Sequence, residues 1–320
     1  MKMRSLVKSG ETAGLEIVPV VFGGNVFGWT VDEARSFELL DAWVDRGFNC
    51  VDTADVYSVW MPGHVGGESE TIIGKWLARG GKRDEVVLLT KVGFEMKSGG
   101  KGLAKKYILE EVEASLKRLQ TDYVDLYQSH TDDQTVPLEE TLEAYAQLIE
   151  QGKVRFIGAS NYGGARLAEA IELAEAKKLP AYRTLQPEYN LHDRQKYEQD
   201  LAPVAAKYGL GVIPYFSLAS GFLTGKYQSL GDAKGAKREA RVQKYFDERG
   251  MKILKALKVV SEETGASQAA VSLAWLMAQP TISAPIASAT SVEQMGAMVE
   301  AVGLELSEAQ VGMLTEASAY

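Results

Sequence analysis

The stretch DYVDLYQSHTDDQTVPLEETLEAYAQLIEQGKVRFIGAS, residues 122–160, has two short apolar runs on either side of a longer amphipathic segment. The runs 122–130 and 153–160 are rich in Val, Ile and Tyr and end in turn residues, which predicts two strands. Between them, apolar residues recur at the spacing of one helical face: Leu138, Leu142, Tyr145, Leu148 and Ile149. Pro137 is expected at the first helical position and Gly152 at the C-terminal cap. The stretch is therefore predicted to be a strand–helix–strand unit.

The same alternation continues along the chain. Eight runs are predicted as strands, each followed by a helical segment: 16–22, 47–52, 85–91, 122–130, 153–160, 182–190, 210–217 and 282–287. Right-handed crossovers between such strands give a parallel sheet, and eight units favour closure. We therefore expect an α/β protein, a (β/α)8 TIM barrel, formed by a single domain over residues 1–320. An open doubly wound sheet is the alternative, although the first strand lacks the G-x-G-x-x-G of a dinucleotide-binding domain.

Composition limits the classes of function. Lys and Arg number 35 against 43 Asp and Glu, and the resulting net charge of −8 argues against nucleic-acid binding. The single cysteine, Cys50, excludes a disulfide framework and a thiolate metal cluster. No apolar run is long enough to span a membrane, and the N-terminus lacks the apolar stretch of a secretory signal. We expect a cytoplasmic protein that acts on a small molecule, with no metal.

Four chemically compatible side chains are predicted at one end of the barrel. Asp52, Lys91 and His130 end consecutive strands, and Tyr57 lies in the loop after Asp52. Taken singly, each has an ordinary structural explanation, but active sites of such barrels lie at the carboxyl ends of the strands. A nearby ammonium is expected to lower the pKa of the Tyr57 phenol from about 10, while Asp52 keeps Lys91 charged. His130 would hydrogen-bond the same oxygen, so the set predicts protonation of a carbonyl by Tyr57.

Six motifs resemble those of the aldo-keto reductases, and they occur in that family's order over almost the whole chain. They are VDTADVY (51–57), TKVG (90–93), YQSH (127–130), GKVRFIGASNY (152–162), QPEYNL (186–191) and PYFSLASGFLTGKY (214–227). The resemblance implies a barrel that binds a nicotinamide cofactor in extended form and reduces aldehydes or ketones to alcohols. It also places the family's catalytic tetrad on Asp52, Tyr57, Lys91 and His130.

The resemblance further implies the residues of the cofactor site. Ser160, Asn161 and Gln186 would bind the nicotinamide carboxamide, and Tyr215 would stack on its ring. The pyrophosphate would lie along Ser217, Leu218, Ser220 and Gly221. The remaining expected contacts are Gly24, Asn25, Lys226, Ala287, Ser288, Thr290, Ser291 and Gln294. Phe27, Trp29 and Trp60 are expected to form the substrate pocket.

Two segments depart from the family pattern or extend it. The loop SVWMPGHVGG, residues 58–67, is an insertion that we expect to form pocket wall through Trp60, Met61 and His64. The long polar segment 219–249 after the seventh strand is expected to be a lid or mobile loop. Its cations would clasp an anionic cofactor: Lys226, Lys234, Lys237, Arg238 and Arg241.

The preferred cofactor and the reaction class keep alternatives. Many NADP-dependent members carry Lys or Arg just after the eighth strand, whereas the stretch 287–291 has no cation. NADP(H) is expected, with NAD(H) possible. A Schiff-base aldolase that uses Lys91 is one alternative to a reductase. A catalytically weak, cofactor-sensing binding protein is the other.

Overall fold

The computed structural model of the protein describes residues 1–8, 13–80, 82–235 and 239–320. Lys237 and Arg238 of the predicted clasp lie outside these residues. The strands are β1 (Arg4–Val7), β2 (Leu15–Ile17), β3 (Val21–Gly23), β4 (Cys50–Asp52), β5 (Val87–Val92), β6 (Val124–Ser129), β7 (Val154–Ser160), β8 (Thr184–Gln186), β9 (Gly211–Val212) and β10 (Ile286–Ala287). The helices are α1 (Glu33–Asp45), α2 (Glu68–Gly80), α3 (Lys105–Leu119), α4 (Leu138–Glu150), α5 (Gly164–Lys177), α6 (Ala202–Tyr208), α7 (Glu239–Val242), α8 (Glu248–Thr264), α9 (Gln268–Met277), α10 (Gly296–Gly303) and α11 (Glu308–Ala317).

Strands β3 to β10 form one parallel sheet of eight strands, in the order β10-β3-β4-β5-β6-β7-β8-β9. The two end strands also meet, because the Ser283 amide donates to the Val212 carbonyl at 2.9 Å and the Ile286 amide donates to the Pro214 carbonyl at 2.9 Å. The sheet thus curls round on itself with helices between its strands. The predicted (β/α)8 fold is confirmed.

The prediction of one continuous strand over residues 16–22 is wrong, because two separate strands occupy this stretch. Residues Leu15–Ile17 form β2, which pairs antiparallel with β1, and only Val21–Gly23 belongs to the barrel. Pro19 separates the two because it has no amide hydrogen for a sheet ladder. Leu6 and Ile17 of the β1–β2 hairpin pack against the apolar interior at the amino-terminal end of the barrel. That end is closed by core packing, which leaves the opposite end for a site.

Helix α4 shows how the sequence sets the outer layer. Its apolar stripe is buried against the barrel at Leu138, Leu142, Tyr145 and Leu148. Gly152 follows the helix with a φ of +71°, a left-handed value that glycine adopts without strain. Pro137 is the N-cap, one position before the predicted first helical residue. Its ring fixes φ near −58° there, and its missing amide hydrogen removes a donor that would lack a helical partner.

The segment 219–249 is more structured than its polar sequence indicates. Its described residues include α7, the start of α8 and three 3-10 turns: Ala219–Thr224, Leu230–Ala233 and Gln243–Tyr245. Tyr245 is buried and its ring stacks on Phe222, with centroids 5.6 Å apart. The segment is held over the barrel mouth by packed aromatic rings as well as by charge. None of the helices in the described ranges has the length and apolarity needed to cross a bilayer.

Candidate active site

Lys91 is the centre of the polar cluster at the mouth. Strands β4 and β5 are paired so that Asp52 lies opposite Leu89. Because side chains alternate along a strand, Lys91 points in the same direction as Leu89, into the barrel. The Lys91 ammonium donates to Asp52 Oδ2 at 2.6 Å, to the Thr53 carbonyl at 2.7 Å and to Tyr57 Oη at 2.9 Å. Asp52 and Lys91 have 1% and 0% side-chain exposure. The predicted acid, base and phenol are therefore in direct contact.

The loop after β4 holds Tyr57 in place. Ser58, the next residue, has a φ of +75°, which is costly for a residue with a side chain. Its hydroxyl donates to the Phe27 carbonyl at 2.7 Å, which anchors this backbone conformation. The Tyr57 ring also lies against the ammonium of Lys91, 4.6 Å from centroid to nitrogen. A strained turn thus orients the phenol toward the lysine.

The predicted direction of the Tyr57 pKa shift is wrong. Burial raises the pKa of Tyr57 well above its ordinary value, and the negative charge of Asp52 raises it further. Burial also lowers the pKa of Lys91, against the opposing attraction of Asp52. Desolvation disfavours a charged phenolate more than the single ammonium favours it. Tyr57 is consequently a protonated phenol at neutral pH, a state suited to donating a proton and not to accepting one.

His130 faces the same space from the end of β6. Its ring lies 4.4 Å from the Phe94 ring and 5.9 Å from the Tyr57 ring, centroid to centroid. Burial and the charge of Lys91 hold the pKa of His130 well below its ordinary value. A neutral imidazole keeps one N–H donor. Within the described ranges, Nδ1 of His130 is buried without a hydrogen-bond partner.

Two glutamines complete the cluster, and one of them was not predicted. The Gln186 amide nitrogen donates to Asp52 Oδ1 at 3.0 Å and to Gln128 Oε1 at 3.2 Å. The Gln128 amide nitrogen also donates to Asp52 Oδ1, at 3.2 Å. Gln128 lies within β6, two residues before His130, so its side chain points to the same side as that of His130. A polar residue inside an apolar strand was the sequence signal that could have identified it. Asp52 is thereby fixed by both glutamines and Lys91, and the predicted carboxamide role of Gln186 stays a prediction.

The predicted nicotinamide contacts form a second, connected group. Asn161, at a φ of +57°, donates from Nδ2 to the His130 carbonyl at 2.8 Å. Its Oδ1 accepts the Tyr215 hydroxyl at 2.8 Å. Ser160 donates its hydroxyl to the Gln186 carbonyl at 2.8 Å. These bonds bring Ser160, Asn161 and Tyr215 together beside His130, and their contact with a nicotinamide stays a prediction.

A cavity of about 970 Å³ opens above the cluster, at the upper end of the range for ligand pockets. Tyr57 and His130 line its floor. Most of the predicted contact residues line it: Asn25, Trp60, Ser160, Asn161, Gln186, Tyr215, Ser217, Leu218, Ser220, Gly221, Lys226, Ala287, Ser288, Thr290 and Gln294. Val56, Phe94 and Thr30 also line it and were not predicted.

Six residues predicted for the site or its wall do not line the main cavity: Gly24, Phe27, Trp29, Met61, His64 and Ser291. His64 lines a neighbouring cavity. Phe27 is fully buried in the core, stacked on Phe22 with centroids 5.4 Å apart. Gly24 is packed so closely that an added Cβ would lie 3.0 Å from the Asp52 carbonyl oxygen. Trp29 lines a neighbouring cavity of about 610 Å³ and meets Trp60 edge to face at 5.5 Å. Ser291 accepts a hydrogen bond from the Gln294 amide at 3.4 Å and is not among the residues that line the main cavity. Phe27 and Trp29 were predicted to line the substrate pocket because they are aromatic. Residue type alone does not distinguish a core residue from a pocket residue.

The chain after β9 suits an anionic ligand. Ala219, Ser220 and Gly221 have φ values of 47°, 58° and 98°, so three successive residues adopt left-handed backbone. Such strain in non-glycine residues occurs at ligand clamps. Lys226 and Arg241 line the cavity beside this turn. Hydroxyl groups and two cations are a donor set that fits a pyrophosphate.

The segment that carries Arg241 docks on the loop after β8. Lys244 lies 3.3 Å from a carboxylate oxygen of Glu188 and 3.3 Å from one of Asp193. The Tyr245 hydroxyl donates to Asp193 at 2.9 Å. Burial and the neighbouring Asp193 raise the pKa of Glu188. These contacts hold the segment next to Tyr215, which forms an isolated β-bridge with Glu188.

A buried carboxyl group lies behind the cluster. Asp55 is fully buried, and Oδ1 accepts the Val56 amide at 2.6 Å, whereas Oδ2 has no hydrogen-bond partner among the described residues. Burial, with the charges of Glu70 and Glu111, raises the pKa of Asp55 well above its ordinary value. The charged form of Asp55 is therefore disfavoured at this position near Tyr57, which the sequence did not indicate.

Comparisons with known proteins agree with this arrangement. The family model of the aldo/keto reductases matches residues 19–319. The uncharacterized oxidoreductase YrpG of Bacillus subtilis is 36% identical over 311 residues, which cover 95% of this chain and 93% of the relative. The aldo-keto reductase YhdN of the same organism is 34% identical over 96% of this chain and 90% of its own. A putative voltage-gated potassium channel subunit beta of Schizosaccharomyces pombe is 34% identical over 91% of this chain and 86% of its own. The chain therefore belongs to the aldo/keto reductase family.

Proposed function

We propose that this protein is an NADP(H)-dependent reductase that converts aldehydes or ketones to alcohols, with Tyr57 as the general acid. The observation that carries the proposal is the contact of the Lys91 ammonium with both Asp52 and Tyr57 on the floor of one cavity. Family membership supports oxidoreductase chemistry in general. The donor set along the cavity supports an anionic dinucleotide.

The reaction divides between the cofactor and the side chains. A bound reduced nicotinamide would supply the hydride that the carbonyl carbon accepts. Tyr57 donates its proton to the carbonyl oxygen, and the C=O double bond becomes a C–OH group. The phenolate that remains accepts hydrogen bonds from the Lys91 ammonium, and solvent then returns the proton. His130, as a neutral imidazole, donates a hydrogen bond to the same carbonyl oxygen and orients it.

The cavity lining favours an apolar carbonyl compound. Val56, Trp60 and Phe94 surround the space above Tyr57. Trp60 is 43% exposed and Phe94 39% exposed, so both present apolar surface that a substrate would cover. Burial of such surface contributes about 25 cal/mol per Å². We infer that an aromatic aldehyde is reduced more efficiently than a small hydrophilic one of similar reactivity.

The first experiment is a panel of aldehydes and ketones with NADPH, followed by the loss of reduced-cofactor absorbance. Stoichiometric formation of alcohol, with loss of turnover in a Tyr57→Phe variant, is the expected result. Turnover that survives intact in the variant would remove Tyr57 from the reaction. The absence of any carbonyl reduction in the parent would overturn the proposed function.

The aldolase alternative fits the geometry less well. The Lys91 nitrogen makes three hydrogen bonds and has 0% side-chain exposure. An imine-forming lysine must present a neutral amine to the substrate. Treatment with borohydride in the presence of a carbonyl compound, followed by mass spectrometry, tests this, and we expect no adduct on Lys91.

A cofactor-sensing role is the second candidate, because one relative is named as a potassium channel β subunit. The raised pKa of Tyr57 would also suit a slow enzyme. Tight dinucleotide binding, together with turnover too slow to exceed single-cycle oxidation of bound NADPH, would favour this role. Steady multiple turnover favours the reductase.

A further inference from the structure

A cation from another part of the chain reaches the loop after β10. Arg35 lies in the first turns of α1, and its Nε donates to the Thr290 carbonyl at 3.4 Å. The two residues are 255 positions apart in sequence. The Arg35 amide also donates to Asp32 Oδ1, the N-cap of α1, at 2.9 Å, which fixes the start of the helix. The loop after β10 has no Lys or Arg in residues 287–291, but Arg35 lies beside it.

Two other donors at this edge of the cavity, both on Thr290, are already engaged. The Thr290 amide and hydroxyl donate to Gln294 Oε1 at 2.8 and 3.2 Å. The Gln294 amide donates to Ser291 Oγ at 3.4 Å. The expected cofactor contacts Thr290, Ser291 and Gln294 are thus hydrogen-bonded to one another. A guanidinium has five N–H donors, and the bonds to Thr290 and Glu38 use two of those of Arg35.

The ion pair of Arg35 with Glu38 does not prevent it from binding an anion. The pair is 2.6 Å long, but its side chains are 38% and 59% exposed. Exposed pairs of this kind contribute only about 0.2–1 kcal/mol, because water and salt screen them. Glu293 also interacts electrostatically with Arg35. A phosphate dianion on Arg35 competes with these two carboxylates, so the selectivity that Arg35 provides is moderate.

We propose that Arg35 determines the preference of this protein for NADP(H) over NAD(H), by binding the 2′-phosphate beside Thr290. The proposal rests on the proposed function in one respect, namely that the cavity lined by Thr290 and Gln294 holds the dinucleotide. The two cofactors differ only in that phosphate, and arginine is the residue best suited to it, since its planar fork matches phosphate oxygens. Selectivity for NADP(H) then comes from a residue of α1. That helix follows β3, next to β10, whereas the turn expected to bind the pyrophosphate follows β9.

The test is binding, measured by titration calorimetry without any substrate. The ligands are NADP⁺, NAD⁺ and the fragments adenosine 2′,5′-bisphosphate and 5′-AMP. Arg35→Gln is expected to weaken binding of NADP⁺ and the bisphosphate about 10-fold or more, and to leave NAD⁺ and 5′-AMP unchanged. Glu38→Gln is expected to tighten NADP⁺ alone, since it removes a competing charge.

Arg46→Gln is the matched control. Arg46 is an exposed arginine at the other end of the same helix, where it donates to the Ala42 carbonyl at 3.0 Å. It should change neither affinity, which separates a local effect of Arg35 from an effect of net charge. The ratio of NADP⁺ to NAD⁺ affinity in the parent should also fall as salt concentration rises, because a surface-exposed charge contact is screened.

The outcomes separate this inference from the proposed function. An unchanged affinity ratio in Arg35→Gln, an equal loss for both cofactors, or a parent that prefers NAD⁺ would overturn the role of Arg35. The reductase proposal would survive those results if carbonyl turnover persists. Conversely, Arg35-dependent NADP⁺ binding without carbonyl turnover would sustain the inference and overturn the function. A parent that binds neither nucleotide overturns both.

Discussion

The ammonium nitrogen of Lys91 lies 2.9 Å from the phenol oxygen of Tyr57, and yet the pKa of that phenol is raised and not lowered. Burial of Tyr57 and the negative charge of Asp52 outweigh the single positive charge of Lys91. The pair is therefore organised for proton donation. The ammonium is most useful after the transfer, when it stabilises the phenolate that has formed.

The first prediction is that the two reaction directions depend differently on pH. Reduction requires the phenol, which stays protonated below its raised pKa, so its kcat/KM should not fall through loss of this proton between about pH 6 and pH 9. Alcohol oxidation requires the phenolate, so its kcat/KM should still be rising at about pH 10. Initial rates in both directions across this range provide the check. A decline in reduction near neutral pH that disappears in Tyr57→Phe would show that the pKa is low after all.

The second prediction concerns the proton donor. Tyr57→Phe removes the hydroxyl and nearly preserves the ring, so reduction should slow by about 100-fold or more, while the Kd for NADP⁺ changes little. Tyr208→Phe is the matched control and should retain full activity, because Tyr208 is a half-buried tyrosine on α6 that donates to Glu172, away from the cavity lining. Equal rates for the parent and Tyr57→Phe would exclude Tyr57 as the acid.

Much of this site was predictable, because a parallel barrel places the carboxyl ends of its strands at one mouth. Asp52, Lys91 and His130 could be found by asking which polar residues end the apolar runs. Gln128 was within reach of the same reasoning, since it points to the same side as His130. Gln128 lies inside β6 and not at its end, so a criterion limited to strand ends does not identify it.

Other features depend on distances that a sequence does not contain. Arg35 and Thr290 meet only because the barrel closes and brings α1 beside the loop after β10. The direction of the Tyr57 pKa shift depends on the balance between burial and neighbouring charge, which residue types alone leave open. The split of the predicted strand 16–22 was signalled by Pro19, whereas its pairing with β1 needed the three-dimensional arrangement.

The third prediction concerns Tyr215. We expect its ring to stack on the nicotinamide, a contact worth about 0.5–1.5 kcal/mol, so Tyr215→Ala should raise the Kd for the cofactor several-fold. Tyr215→Phe keeps the ring but loses the hydrogen bond to Asn161 at 2.8 Å, so it should recover most and not all of the affinity. Fluorescence titration measures all three proteins. An alanine variant with parental affinity would place Tyr215 outside the site.

The fourth prediction concerns the clasp. The segment 219–249 brings Lys226 and Arg241 to the cavity and is tied down through Lys244. Cofactor should hold it more firmly, and cleavage within the segment by a protease should slow when NADP⁺ is added. Arg241→Gln should reduce that protection, whereas Lys234→Gln, an exposed residue outside the cavity lining, should leave it intact. Identical cleavage kinetics with and without NADP⁺ would count against a clasp.

The fifth prediction concerns the buried acid Asp55. The folded-state pKa of Asp55 is raised above the unfolded value of about 3.9. The stability that the protonated carboxyl group contributes is therefore complete below the unfolded pKa, and it is lost as pH rises through the folded-state pKa. Asparagine cannot ionise, so Asp55→Asn should gain in free energy of unfolding relative to the parent as pH rises, approaching about 1.4 kcal/mol per pH unit. The new amide group would also lie where Oδ2 is buried without a partner, which adds a cost that does not vary with pH. Urea unfolding at several pH values from about 5 to 8 gives the difference, with Asp84→Asn, an exposed aspartate, as the control. A difference between Asp55→Asn and the parent that stays constant with pH would mean that Asp55 is ionised in the folded protein.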